Sequence, residues 1–406
     1  MSKFKTHYFS FALIFIVLFL STCATSTAQP LQDPTITSTN VALAEVTFEA
    51  TAEGTLEAST EATTEVTPTA YLPLMHRLPE KFFGIYFKQY WNSKNVATYM
   101  SQADQGAKKK HSSVGWFIDL EDVAFTEPIT YLPGNNLYSQ LEELWKGGYI
   151  SFINLGSNAN AAQIINGERD REIGYAAEFY KAWVDLGESR RAMIAPLQEM
   201  NGEWTAYGKV STSDQFKQAY RHILDIFAQK GITRDQVWWV FAPNGYHDPA
   251  QPLRAFEYYY PGDDVVDIVG FSSYNYGYCI DIPAAYWRWE SYPQIYEPYI
   301  ARMQTMAPSK PIIIAESAST AYYHDAAGNP VLDYDQMNQW LVENYNFFAS
   351  RAGVIGVFYF SFPDFDGYDC EIEINPNGTI LSGYVVGVSN SAYQYLNTAA
   401  MDRIIP

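Results

Sequence analysis

Met193-Ile194-Ala195-Pro196-Leu197-Gln198-Glu199 is a short apolar run that stops on a carboxylate, and Pro311-Ile312-Ile313-Ile314-Ala315-Glu316 repeats the arrangement farther along the chain. Each has the length and composition of a strand buried on both faces, the kind that a parallel sheet requires. Six more runs of this sort surround them: Phe82 to Tyr86, Ser113 to Ile118, Tyr149 to Leu155, Val237 to Ala242, Ile268 to Ser272 and Val354 to Phe360. Apolar residues recur at helical spacing in Arg171 to Leu186, between the third and fourth runs, and in Asp214 to Gln229, between the fourth and fifth. Strands alternating with helices imply crossover connections. Eight such units in about 330 residues predict an α/β fold of the closed (β/α)8 type, a TIM barrel. No Gly-rich phosphate loop follows the first run, which argues against an open nucleotide-binding sheet.

In such a barrel the chemistry sits at the carboxyl ends of the strands. Glu199 and Glu316 cap the fourth and seventh strands, across the mouth from one another, so their carboxylates are expected to converge. Cleavage of a glycosidic bond with retention needs such a pair about 5 to 5.5 Å apart, one carboxylate as nucleophile and one as acid/base.

Composition narrows the partners. The 406 residues carry a net charge of -19, which disfavours nucleic acid, and 32 Tyr with 10 Trp supply ring faces suited to sugars as well as to a core. Polysaccharide is the expected partner, no cofactor is expected, and the barrel is expected to act as a monomer. The six histidines show no metal-ligand spacing, and the acidic trio Asp119, Glu121 and Asp122 reads as an ordinary acidic loop rather than a calcium site, so no metal is expected.

Residues 1–28 read as an export signal: Lys3 and Lys5, an apolar stretch from Phe9 to Leu20, then small residues ending at Ala28. Leu20-Ser21-Thr22-Cys23 resembles a lipobox, so the chain is expected either to be secreted outright or to be tethered to the membrane surface through a lipidated Cys23. Residues 29–75, rich in Thr, Glu and Ala with Glu at every fourth position from Glu45 to Glu65, read as a disordered linker, because a helix would stack six like charges. The catalytic barrel is expected over 76–406. Cys279 and Cys370 are candidates for a disulfide in an exported protein, both in loops assigned to one end of the barrel.

The stretch Gln198-Glu199-Met200-Asn201-Gly202-Glu203-Trp204, with Tyr207-Gly208 after it, resembles the acid/base motif of glycoside hydrolase family 26, a clan A family that is mainly β-mannanase-like. Val237-Trp238-Trp239-Val240-Phe241-Ala242-Pro243-Asn244, Tyr259-Tyr260-Pro261-Gly262-Asp263-Asp264, Val266-Asp267-Ile268-Val269-Gly270 and Lys310-Pro311-Ile312-Ile313-Ile314-Ala315-Glu316 extend the likeness. The resemblance implies Glu199 as acid/base, Glu316 as nucleophile, and a Tyr274 hydroxyl bonded to that nucleophile. The chain departs from the family at Gln198, where His is usual, at Pro196, where Arg is usual, and at Phe358-Tyr359-Phe360, where a Trp is expected.

Other residues are candidates for sugar binding. Trp204 and Tyr207 are read as a stacking platform or as packing for the next helix. Asn201 and Asn244 are read as sugar ligands or as turn caps. Tyr86, Trp91 and Trp116 are further subsite candidates, and Gln198 is expected to donate to the sugar near the reacting carbon. The expected activity is retaining hydrolysis of a β-linked polysaccharide, and the resemblance implies foremost a β-1,4-mannan or glucomannan. A β-glucanase or xylanase, or a surface carbohydrate-binding lipoprotein without turnover, are the alternatives.

Overall fold

The computed structural model describes residues 80–87, 96–123, 136–362 and 370–405. The signal, Cys23, the linker and Trp91 lie outside the described residues. The elements run β1 (Phe82–Phe87), α1 (Val96–Ala107), β2 (Ser113–Asp119), α2 (Leu120–Val123), α3 (Asn136–Lys146), β3 (Ile150–Gly156), α4 (Ala161–Ile165), α5 (Asp170–Val184), β4 (Ala192–Pro196), α6 (Ala206–Lys209), α7 (Ser213–Gln229) and β5 (Val237–Phe241). They continue with β6 (Ile268–Asn275), α8 (Tyr292–Met306), β7 (Ile312–Ser319), β8 (Tyr322–His324), β9 (Pro330–Leu332), α9 (Tyr334–Ser350), β10 (Val354–Ser361), α10 (Ser382–Val388) and α11 (Thr398–Met401).

Eight strands close on themselves in the order β1-β10-β7-β6-β5-β4-β3-β2, every pair parallel. This is the TIM barrel expected from the eight runs. Its interior is aromatic: Phe82, Tyr86, Phe152, Phe358 and Phe360 meet edge-to-face or tilted, with centroids 4.9 to 6.3 Å apart. Rings this large fit because Gly115 and Gly356 face them; a Cβ would lie 2.1 Å from the Tyr86 ring and 2.2 Å from that of Phe82.

Two departures from the expected pattern bear on the site. The fourth strand ends at Pro196 rather than at Gln198, because Leu197 and Glu199 both take the left-handed conformation, with φ of 55° and 52°. No α-helix joins β5 to β6 among the described residues. Two 3-10 turns, Pro252–Arg254 and Phe256–Tyr259, take its place, and the β5–β6 ladder is only two residue pairs long, Val240 with Ile268 and Phe241 with Val269. After β7 the antiparallel hairpin of β8 and β9 rises from the mouth. The Cys279–Cys370 disulfide joins the loop after β6 to the segment after β10, with the two Cα atoms 4.8 Å apart.

Candidate active site

β7 carries one extra residue at the point where it delivers Glu316. Against β6 the register steps from Phe271–Ile314 to Ser272–Glu316, and against β10 from Val357–Ile314 to Tyr359–Ser317. A bulge of this kind turns a side chain out of the regular alternation. Glu316 is 4% exposed, and its Oε2 accepts the hydroxyl hydrogen of Tyr274, two residues beyond Ser272 on β6.

Glu199 reaches the same space by strain rather than by strand geometry. Its left-handed backbone is costly for a residue with a Cβ, of order 1 to 3 kcal/mol, and such strain concentrates at functional sites. The surroundings hold it there. Its amide donates to the Ala242 carbonyl at 2.8 Å, while the preceding Leu197 amide donates to the Leu155 carbonyl at 2.8 Å. The carboxylate accepts from Trp204 Nε1 at 2.7 Å on one oxygen and from Asn244 Nδ2 at 2.8 Å on the other. Trp204 can lie across Gly202 only because no side chain is there; a Cβ would sit 2.3 Å from the indole. Arg254, from the turn after β5, clamps the loop by an ion pair to Glu203 at 3.0 Å and a bond to the Gly208 carbonyl at 3.0 Å.

The two carboxylates share one electrostatic environment. Burial pushes the Glu316 carboxyl well above the usual range, and the neighbouring Glu199 charge pushes it further, against the Tyr274 bond, which lowers it. Burial also raises Glu199, while hydrogen bonds from Asn244, Trp204 and Ser272 favour its ionised form. Tyr274 feels both acids, and its hydroxyl is held protonated well above its ordinary value by burial and by their charge.

The remaining candidates are distributed less evenly. Trp204, 40% exposed, presents an indole face to solvent beside Glu199. Asn244 holds Glu199 directly. Asn201 is 2% exposed and spends its amide on the backbone, accepting from Asn244 N and donating to Asn244 O, each at 2.9 Å. It therefore supports Asn244 instead of meeting a ligand. Tyr207 is buried and donates to the Gln198 carbonyl at 2.9 Å, so it offers no stacking face. Tyr86 lies inside the barrel, accepting from Asn154 Nδ2 at 2.8 Å, and is floor rather than platform.

Trp116 is buried too. Its neighbours Gly115 and Phe117 both face Tyr86 in the barrel, so the strand's alternation turns Trp116 away from the cleft. Gln198 is half-buried, and its Oε1 has no hydrogen-bond partner. In the acidic trio, Glu121 is tied to Arg169 at 2.8 Å and to Ser157 at 2.8 Å. Among the described residues no group of three or more His, Cys, Asp or Glu side chains could hold a metal ion.

Arg254, Asn154 and Ser272 join the site without standing out in the sequence. For Arg254 the sequence holds no signal, since its partner loop is 46 residues away along the chain. Asn154 and Ser272 were discoverable as polar residues inside apolar strand runs, where a buried polar group calls for an explanation.

Residues 156–328 match the model of glycosyl hydrolase family 26. Among curated proteins the chain is 29% identical over 242 residues to Endoglucanase H of Acetivibrio thermocellus, a match covering 57% of this chain and 23% of that protein. It is 32% identical over 90 residues to mannan endo-1,4-beta-mannosidase of Bacillus subtilis, covering 20% of this chain and 23% of that protein. The chain thus spans about a quarter of the length of these two relatives. The solved catalytic domain of an endo-beta-1,4-mannanase from Bacillus sp. JAMB-750 shares the fold, with a TM-score of 0.55 and 17% identity over 79% of this chain and 88% of that one. The segment that carries Glu199, Tyr274 and Glu316 is thus similar to glycosyl hydrolase family 26.

Proposed function

We propose that the chain is a retaining, endo-acting hydrolase of β-linked polysaccharide, with β-1,4-mannan or glucomannan as its first substrate class. The observation that carries this reading is the placement of two glutamates after β4 and on β7 of one barrel, each oriented by its own hydrogen-bond donors: Trp204 and Asn244 for Glu199, Tyr274 for Glu316. Glu316, on the floor, acts as nucleophile: its oxygen attacks the anomeric carbon as the bond to the leaving chain breaks. Glu199, half-buried at the rim, gives its proton to the departing oxygen. Once Glu316 is esterified its charge is gone, so Glu199 becomes the stronger acid and then accepts a proton from the water that frees the sugar. The Trp204 and Asn244 donors favour the ionised form needed for this second half.

The longer curated match bears the name endoglucanase, which keeps β-glucan as the nearest rival substrate. We further infer export, with Cys23 as the point of a lipid tether where one is made. No described helix is long and apolar enough to cross a membrane. The test is reducing-sugar release from mannan, glucomannan, lichenan and xylan by the parent, Glu316→Ala and Glu199→Ala. The parent should hydrolyse at least one polymer and Glu316→Ala none, while Glu199→Ala should recover in part with azide on a substrate with an activated leaving group. Binding of the polymers without turnover would instead indicate a carbohydrate-binding protein.

A further inference from the structure

Asp119 closes β2 at the mouth, and the alternation of the strand decides where its carboxyl points. Gly115 lies against the Tyr86 ring, and Phe117 packs on Tyr86 and Phe360 inside the barrel, with centroids 5.4 and 6.2 Å apart. Asp119, two residues beyond Phe117, faces the same interior at the level where the cylinder opens. Phe360 in turn packs on Tyr274 at 5.8 Å, so one aromatic floor runs from beneath Asp119 to the residue that bonds Glu316. On β3 the register partner of Asp119 is Gly156. A Cβ there would lie 2.2 Å from Asp119 Oδ1, so the missing side chain is what leaves room for the carboxyl.

The other two acids of the trio are already engaged. Glu121 is tied to Arg169 and Ser157, and Asp122 accepts a hydrogen bond from the Asp119 backbone. The Asp119 carboxyl has neither a cation nor a hydrogen-bond donor among the described residues; burial and the charges of Asp122 and Glu121 raise it to about 6. Its charge is felt by the buried Tyr207, whose hydroxyl donates to the Gln198 carbonyl just before Glu199. An uncompensated carboxylate in such a place works against the folded state, and costs of this kind are characteristic of groups that wait for a ligand.

We propose that Asp119 is a specificity-determining residue of the cleft, its carboxylate accepting hydroxyl hydrogens from a sugar ring bound beside the ring that reacts. This rests on the β-glycan reading of the same cleft. One strand separates β2 from β4 and two separate it from β7, so Asp119 stands about 10 Å around the rim from the strand that leads to Glu199, too far to share the ring between the two glutamates. A carboxylate suits a neutral sugar because it only accepts, and its two oxygens can take two adjacent hydroxyls of one ring in charge-assisted bonds.

The experiment is calorimetry on the full chain carrying Glu316→Ala, with and without Asp119→Asn, against manno- and cello-oligosaccharides of two to six rings. Asp119→Asn keeps the size of the side chain and removes its charge. The shortest oligosaccharide that binds should show the same Kd in both chains. From one greater length onward Asp119→Asn should bind about tenfold more weakly, the loss of one hydrogen bond to a charged group. With Glu316 restored, kcat/KM should fall by a similar factor from the same length. Equal Kd at every length overturns the proposal. A loss of equal size at every length, the shortest included, also overturns it, since the effect would then lie in the fold or in the reacting ring. Failure of every oligosaccharide to bind removes the glycan reading of the cleft and the proposal with it. Turnover by the parent tests the hydrolase assignment separately: a parent that binds but cleaves no glycan sinks that assignment, while the length dependence of Kd still decides the role of Asp119.

Discussion

Replacing Tyr274 by Phe should move the acidic limb of the pH profile and leave the fold in place. The ring packs on Tyr276 at 5.5 Å and on Phe360 at 5.8 Å, contacts that phenylalanine keeps, so the change deletes one hydroxyl and little else. That hydroxyl donates to Glu316, and a hydrogen bond to a charged group is worth about 1.5 to 3 kcal/mol. Because the bond favours the carboxylate, its loss raises the pKa of Glu316, which burial and Glu199 already hold above the ordinary value. At 1.36 kcal/mol per pH unit this is about one to two units. Glu316, as the proposed nucleophile, must be ionised, so the acidic limb of kcat/KM should move to higher pH by that amount. Below the limb the variant should be about 10- to 100-fold slower than the parent at equal pH, with the deficit shrinking toward the alkaline side. The assay is kcat/KM from pH 3 to 9 on the best soluble glycan, with circular dichroism to confirm the fold. An unmoved acidic limb, or a loss uniform at every pH, would refute the assignment of Tyr274 as the donor that keeps Glu316 charged.

Two further outcomes concern stability. Converting both Cys279 and Cys370 to Ser opens a loop with a sequence separation of 91 and should cost about 4 to 5 kcal/mol by chain entropy, seen as a lower urea midpoint; an unchanged midpoint would show that the bridge constrains nothing. Burial and the neighbouring Asp122 and Glu121 charges raise the Asp119 carboxyl to about 6, so the folded state binds more protons than the unfolded one between pH 4 and 6, and this group's contribution falls as pH rises through that window. Asp119→Asn should therefore stabilise the barrel at pH 7 by on the order of 1 kcal/mol, after discounting for its partial exposure, and lose that advantage below pH 4, as read by urea titration at both values.

The barrel was legible because each of its strands is a nearly unbroken run of apolar residues, a pattern that survives whatever surrounds it. The register within each run was harder. Trp116, Tyr207 and Tyr86 are aromatics near strand ends, but whether such a ring meets a sugar or the core depends on which face of the pleat it occupies. In β2 the clue was present: Gly115 is the small residue that makes room for a ring inside, so Trp116 must face out. Pro196-Leu197-Gln198 continues the apolar run of β4, and nothing in those residue types announces the left-handed turn that aims Glu199. That turn is imposed by bonds to Leu155 and Ala242, on two different strands. Asn201 shows the same limit, for its partner Asn244 lies across a loop and helix that sequence spacing does not bridge.

The short ladder between β5 and β6 has a consequence for how the molecule fails on heating. Only β1 with β2 shares a ladder as short, and among the described residues no crossover α-helix covers the β5–β6 seam. Yet Asn244 leaves β5 on one side of it, while Ser272 and Tyr274 ride on β6 on the other. Fraying there would pull the support of Glu199 away from the support of Glu316 while the rest of the cylinder stayed intact. Turnover should accordingly fade several degrees before the aromatic interior melts, with amide protons of 240–244 and 268–272 exchanging ahead of those in β2 and β3.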